Sequence, residues 1–90
     1  MNLISIRWAL RAAEHSNFRA AARSLGVGEA ALSRRVRSLE DEIGVSLFER
    51  HRDGVETTIA GRAFFSRVRE ALDDLDYAAK AAKTAYFTGW

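Results

Sequence analysis

Residues 17–44 read NFRAAARSLGVGEAALSRRVRSLEDEIG, and their pattern predicts two helices joined by a tight turn. Asn17 suits an N-cap, because its side-chain oxygen accepts a hydrogen bond from a backbone N–H of the first turn. Gly26 suits the left-handed residue that ends a helix, and Gly44 ends the next one. In that second helix, from about residue 29 to 43, one stripe at 100° per residue holds Leu32, Val36, Leu39 and Ile43. The pattern predicts a helix-turn-helix over about residues 18–37.

The face opposite this apolar stripe is small, polar and basic, with Ala30, Ser33, Arg34 and Arg37. Twelve of the fourteen basic residues of the chain are arginines. The planar guanidinium suits bidentate recognition of phosphates and guanine edges better than the ammonium of lysine does. The face therefore fits a helix that reads the major groove, although a merely solvated arginine-rich surface is the alternative for such clusters taken alone.

Two further elements flank the helix-turn-helix. Residues 3–14 predict a first helix with an apolar face of Leu3, Ile6, Leu10 and Ala13. Residues 46–57 predict a two-stranded wing, since two short runs flank the pair Asp53–Gly54, a strong hairpin signal. Arg50, His51 and Arg52 then lie near the wing tip. The residues assigned to the core are Trp8, Phe18, Leu25, Leu47 and Phe48, with base stacking by the aromatic ones as the weaker alternative.

The pattern predicts a long fourth helix, capped by Thr58 and running from Ile59 to about Ala85. Its apolar residues are spaced alternately three and four apart, as in the seam of a two-stranded coiled coil. The seam consists of Phe65, Val68, Leu72, Leu75, Ala79, Ala82 and Tyr86. We expect it to pair with a second copy of the chain; packing of the whole helix on its own domain is the alternative. The expected organisation is a winged domain at 1–58 and a linker or dimerisation helix at 59–90.

Composition narrows the function classes. Ninety residues make one small domain, and the absence of cysteine excludes disulfides and thiolate chemistry. The net charge is +2, which is too small to indicate a polyanionic partner by itself. The sequence has neither a signal-peptide pattern nor an apolar run near the ~20 residues of a membrane span. We therefore expect a soluble cytoplasmic protein with no membrane partner.

The combined motifs resemble the N-terminal domain of LysR-type transcriptional regulators. The resemblance is carried by NFRAAARSLGV from Asn17, by ALSRRVRSLEDEIGVSLFER from Ala31, and by the T-x-A-G pattern at residues 58–61. It spans nearly the whole chain. It implies a bacterial winged helix-turn-helix that binds double-stranded DNA at dyad-related half-sites, and linker helices that form a homodimer.

In that family an effector domain normally follows the linker helix, and we expect it to be absent from this chain. A small-molecule effector is expected only if the parent protein has that domain, and a longer parent could also form tetramers. The sequence departs from the family at positions expected to face DNA. Gly28, Glu29 and Ala30 replace the common Ser-Gln-Pro, and Arg19 replaces Thr or Ser. The DNA-binding residues predicted on these grounds are Arg19, Gly28, Glu29, Ala30, Ser33, Arg34, Arg37, Arg50 and Arg52.

Catalysis has little support in the sequence. His15 and His51 lie far apart in the chain, and the carboxylates at 41–42 and 73–76 fit solvated helix faces. Gly26 and Gly28 lie in a turn, and their spacing does not match a phosphate-binding signature. We expect no enzyme activity, no cofactor and no metal. Two functions compete with a sequence-specific regulator: a protein–protein module that has lost DNA binding, and a nonspecific architectural DNA binder.

Overall fold

The computed structural model describes residues 1–88. Its elements are α1 (Leu3–Ala13), α2 (Phe18–Leu25), α3 (Glu29–Ile43), β1 (Phe48–His51), β2 (Gly54–Thr57) and α4 (Ile59–Thr88). The two strands form an antiparallel hairpin. This is the predicted mainly α fold, three helices and a wing followed by a long helix. The predicted linker segment extends to residue 90, so its last two residues lie outside the described part.

Local signals place the ends of α2 and α3 as predicted. The Asn17 side chain accepts a hydrogen bond from the backbone N–H of Ala20 at 2.7 Å. Gly26 and Gly44 follow the two helices with φ of 71° and 90°, the left-handed region that a side chain disfavours. The connection between α2 and α3 is therefore only three residues long, which fixes the two helices of the motif close together.

The predicted apolar face of α1 is wrong. The buried residues are Ser5, Ala9 and Ala12, whereas Leu3 is 45% exposed. Bulky apolar residues occur on several sides of this helix, and its main contact is with α3. Ala9 and Ala12 are fully buried, and their small side chains allow neighbouring helices to approach closely. Ile6, Leu10 and Ala13 only border the core.

The core is formed by α1, α2 and α3, closed by the start of the wing and the start of α4. Its largest fully buried side chains are Leu32, Val36, Leu39, Leu47 and Phe65. The Phe48 ring lies 5.4 Å from that of Phe18 and 5.5 Å from that of Phe65, measured between centroids. Such pairs contribute about 0.5–1.5 kcal/mol each beyond area burial. The core assignment of Phe18, Leu47 and Phe48 is confirmed, while Trp8 and Leu25 are half-buried against it.

Backbone N–H groups at both ends of the wing donate hydrogen bonds to the helical body. The Val55 N–H donates to the carbonyl of Ser16 at 2.9 Å. At the other end of the hairpin, one carboxylate oxygen of Glu40 accepts from the backbone N–H groups of Leu47 and Phe48, at 2.7 and 3.2 Å. In the register, Arg50 lies opposite Val55 and His51 opposite Gly54. The tight connection is thus at residues 52–53, one residue before the predicted pair.

The first three turns of helix α4 pack against the body of the domain, and the rest of the helix extends away from it. The Thr58 hydroxyl caps it by accepting from the Gly61 N–H at 2.9 Å, as predicted. Gly61 is buried against Leu47, and an added Cβ would overlap the Leu47 carbonyl oxygen. Within residues 73–88 every residue but Ala85 is exposed.

The seam residues of α4 therefore fall into two groups. Phe65 and Val68 are only 1% and 8% exposed in the single chain, so they are buried within their own domain. Their prediction as contacts to a second copy is wrong, because a residue already covered by its own body has no surface left to offer. Leu72 is half-buried, and Leu75 and Tyr86 are 51% and 80% exposed. Only the part of the seam from Leu72 onward is open to a partner.

Candidate nucleic-acid interface

An open cleft lies between the first turns of α2 and α3 and the inner face of the wing. Five of the nine predicted DNA-binding residues line it: Arg19, Glu29, Ser33, Arg50 and Arg52. The fold brings them together from α2, α3 and the wing, although Arg19 and Arg52 are 33 positions apart in the chain. Asn17, Phe18 and Val55, which were not predicted as site residues, line the same cleft.

Arg50 is the most constrained cation of the cleft. Its guanidinium carbon lies 4.5 Å from the centroid of the Phe18 ring, and its Nη1 donates to the Ser33 hydroxyl oxygen at 2.6 Å. Burial, followed by the neighbouring charge of Arg37, lowers the pKa of Arg50, and Glu40 opposes the shift. An arginine remains protonated despite such a shift. The contact joins the wing directly to α3.

Arg19 and Glu29 form an ion pair across the helix-turn-helix. The Arg19 Nε lies 3.8 Å from a carboxylate oxygen of Glu29, and the two side chains are 78% and 54% exposed. Exposed pairs of this kind are weak, commonly 0.2–1 kcal/mol. Without a large cost, Arg19 can therefore leave Glu29 for a phosphate, and Glu29 can leave Arg19 for a base amino group.

The remaining predicted residues lie on the outer surface of α3. Ala30, Arg34 and Arg37 are exposed, and within residues 1–88 no carboxylate lies within 4 Å of either guanidinium. Gly28 is the N-cap of α3 and provides no side-chain hydrogen bond to its first turn. Small residues at 28 and 30 leave the backbone of this first turn accessible.

Arg35 belongs to the structure of the domain and not to the cleft. Its guanidinium lies 4.6 Å from the Trp8 ring centroid, and its Nη1 donates to the Ser5 hydroxyl at 3.2 Å. It thus joins α3 to α1. The sequence cluster of Arg34, Arg35 and Arg37 is divided by the helix, with the middle residue turned to the body.

Glu49, His51 and Glu56 also meet on the wing, with one potential metal-ligand atom from each within 4.8 Å of the others. All three are exposed, and exposed acidic groups of this kind are common without an ion. This geometry alone does not define a metal centre.

Together, the helix-turn-helix, the wing beside it and the arginines that face one cleft define the chain as a winged helix-turn-helix protein. A sequence profile described as "Bacterial regulatory helix-turn-helix protein, lysR family" matches residues 3–62. The chain belongs to this LysR family.

Relatives and solved structures agree with this assignment. The chain is 39% identical over 72 residues to the HTH-type transcriptional regulator ClcR of Pseudomonas putida, covering 80% of this chain and 24% of ClcR. It is 36% identical to the regulator BudR of Klebsiella aerogenes, covering 92% of this chain and 58% of BudR. The crystal structure of the CbnR_DBD–DNA complex matches with a TM-score of 0.90 and 32% identity, covering 94% of this chain and 98% of that one.

A second DNA complex, of BenM_DBD with benA site 1, matches with a TM-score of 0.88 and 31% identity, covering 92% and 96% of the two chains. The chain spans about a quarter of the length of relatives such as ClcR. These relatives are transcriptional regulators and not enzymes. Within residues 1–88, no helix combines the length and apolar character needed to cross a membrane.

Proposed function

We propose that this chain binds double-stranded DNA sequence-specifically as a homodimer and regulates transcription. The observation that carries the proposal is the exposed arginine face of α3 beside the wing cleft. It is supported by the close likeness of the whole fold to domains that were crystallised with DNA. The first 58 residues would supply DNA recognition, and the α4 segment from 59 to 90 the dimer.

In this proposal α3 enters the major groove. Arg34 reads a base edge, and an arginine forked onto guanine contributes about 1–3 kcal/mol of discrimination. We expect Arg37 and Arg19 to contact phosphates, and Arg52 to contact the DNA backbone from the wing. Phosphate contacts set the register and base contacts set the sequence, so the former group should dominate the dependence on salt.

Homodimerisation is assigned to the exposed part of α4. Its seam from Leu72 through Leu75, Ala79 and Ala82 to Tyr86 has small residues in the middle, which allow a second helix to approach closely. A two-fold dimer presents its two reading helices symmetrically, and it should therefore prefer half-sites related by a dyad. Tetramers and a small-molecule effector belong to this proposal only through a C-terminal domain of a longer parent protein.

The proposed location is the bacterial cytoplasm, in association with the nucleoid, since a regulator must reach chromosomal DNA. A protein–protein module and a nonspecific architectural binder are the competing functions. The first predicts no DNA binding at all. The second predicts equal affinity for every sequence.

Selection of bound sequences from a random DNA pool tests the proposal, followed by binding of the selected site and of random DNA at two salt concentrations. We expect a dyad-related consensus, and about 1–3 kcal/mol weaker binding of that site by Arg34→Ala with relaxed preference at one base position. Arg67→Ala is the matched control, because this arginine is 86% exposed on α4 and pairs with Glu70. Failure to enrich any sequence would refute specific recognition, and absence of binding would favour the protein–protein module.

A further inference from the structure

The contact between Arg50 and Ser33 restricts what Ser33 can recognise. A serine hydroxyl has one hydrogen to donate and two lone pairs to accept with, and a free hydroxyl rotates to suit its partner. Here the charged Arg50 Nη1 donates to the Ser33 oxygen at 2.6 Å, a short, charge-assisted hydrogen bond. The hydroxyl hydrogen is repelled by the guanidinium and must point away from it. Ser33 is half-buried on the wall of the cleft, so the direction left open is toward a ligand there.

Arg50 is exposed as a residue, but both its guanidinium and the wing that carries it contact the domain body. The Phe18 ring lies beneath its guanidinium, and that ring is itself only 8% exposed and packed edge-on against Phe48. Val55, the cross-strand partner of Arg50, donates its N–H to Ser16. At the neighbouring Gly54, an added Cβ would lie 2.5 Å from the Ser16 carbonyl oxygen, so the strand is as close to the body as a backbone can be. The guanidinium is therefore supported by a buried ring and by a hairpin that is hydrogen-bonded to the body.

We infer that Arg50 is a positioning residue that makes Ser33 a hydrogen-bond donor toward DNA. The inference rests on the proposed DNA-binding function and deepens it. Ser33 then selects for an acceptor without a hydrogen: a purine N7, guanine O6, thymine O4 or a phosphate oxygen. It disfavours the amino groups of cytosine and adenine, because the nearby guanidinium charge repels a second N–H donor from the remaining lone pair of the same oxygen. Arg50 acts on specificity through Ser33, in contrast to Arg52, which contributes charge to the same wing.

The test uses the site selected by the wild-type chain, carrying single atomic changes. Replacing each purine by its 7-deaza analogue removes one N7 acceptor, and 6-thioguanine or 4-thiothymine turns O6 or O4 into a weaker sulfur acceptor. A methylphosphonate removes one charged phosphate oxygen. We expect one such change to weaken wild-type binding by about tenfold, the equivalent of one hydrogen bond of ~1.4 kcal/mol. A sensitive position among the base analogues identifies a base acceptor, and a sensitive methylphosphonate position identifies a phosphate. The penalty should disappear in Ser33→Ala, which has no hydroxyl.

Arg50→Met separates positioning from charge, because it keeps an apolar cover over Phe18 and removes the donor. We expect it to reduce the penalty at the Ser33 acceptor and to admit a donor base there, if the acceptor is a base. Arg52→Met is the matched control: it removes the same charge from the same wing and should weaken all sequences equally while the penalty remains. The double variant Ser33→Ala/Arg50→Met should have the base profile of Ser33→Ala alone.

Thermal unfolding of each variant is measured as a control, and we expect every variant to remain folded at the assay temperature. The inference is overturned if Arg50→Met keeps the wild-type penalty and base profile, or if no acceptor change depends on Ser33. In both cases the wild-type chain still selects a sequence, so the DNA-binding proposal survives. If the wild-type chain selects no sequence, the proposed function itself has failed.

Discussion

Replacement of Gly61 by alanine tests the contact that joins α4 to the domain body. In a helix, alanine is favoured over glycine by up to ~1 kcal/mol, so helix propensity alone predicts a more stable protein. The structure predicts the opposite, because the new methyl group would overlap the backbone carbonyl oxygen of Leu47. That oxygen cannot move freely, since it accepts a hydrogen bond from the Thr58 N–H at 3.0 Å.

The magnitude follows from three contributions. Inserting a methyl group into a packed contact costs typically ~1–3 kcal/mol. Losing the hydrogen bond from Thr58 to Leu47, as Leu47 is pushed away, adds about 0.5–1.5 kcal/mol. The higher helix propensity of alanine offsets at most ~1 kcal/mol of this loss of stability. Together they predict that Gly61→Ala lowers the free energy of unfolding by about 0.5–4.5 kcal/mol, and each kcal/mol lowers the Tm by roughly 4–8 °C in a domain of this size.

Urea and thermal unfolding, followed by circular dichroism of the helices, measure this effect. The matched control is Ala60→Gly, at an exposed position next to Gly61 in the same helical turn. It isolates helix propensity, and it should destabilise the protein by no more than ~1 kcal/mol. A Gly61→Ala variant as stable as the wild-type chain, or more stable, would show that the helix and Leu47 are not in close contact.

Three further outcomes are expected. Leu75→Glu should dissociate the dimer in sedimentation experiments without lowering the Tm of the winged domain, because Leu75 is 51% exposed in the single chain; a dimeric variant would contradict the proposed seam. Glu40→Ala should lower the free energy of unfolding by about 2–3 kcal/mol in urea, because it leaves without an acceptor the two backbone amides that lead into β1; Glu42→Ala is the exposed control. Glu29→Gln should raise affinity for random DNA at constant salt, since it releases Arg19 from its ion pair, and should shift preference away from cytosine at one position; an unchanged base profile would assign Glu29 to helix stability alone.

The elements of this fold could be predicted from local chemistry. Asn17, Gly26, Gly44 and Thr58 each mark a helix end by a hydrogen bond or a backbone conformation that depends on near neighbours only. The spacing of Leu32, Val36 and Leu39 defined the buried side of α3 for the same reason. Such signals involve residues within one or two helical turns of each other, so they can be recognised in the sequence alone.

Predictions failed where a pattern is compatible with more than one partner. The spacing of Phe65 and Val68 is the same whether a helix packs on a second copy or on its own body, and here the body covers them. In α1 the small residues Ala9 and Ala12 define the core, although larger apolar side chains suggested another face. Close helix packing selects for small volume, which a hydrophobic pattern does not reveal.

The cleft residues were predicted in part. Arginines and Ser33 were identified by type and family resemblance, but their roles as DNA contacts remain predictions. The arrangement of Arg50 on Phe18 and Ser33 could not be predicted, because it joins residues 32 and 17 positions apart through the tertiary fold. The division of Arg34 from Arg35 required the orientation of α3 relative to α1, which no local pattern supplies.

The unbroken course of α4 has a mechanical consequence. One helix carries both Phe65, fixed in the core, and Leu75, exposed beyond it, so twisting at one end is transmitted to the other. Each inserted residue between them would rotate the outer seam by about 100° and advance it by ~1.5 Å. One extra residue would thus turn the seam away from the proposed partner helix. Seven extra residues would restore the direction of the seam to within ~20° and increase the distance between the two winged domains. In the proposed dimer, the rotation of one continuous helix, and not a flexible joint, would set how the two winged domains face DNA.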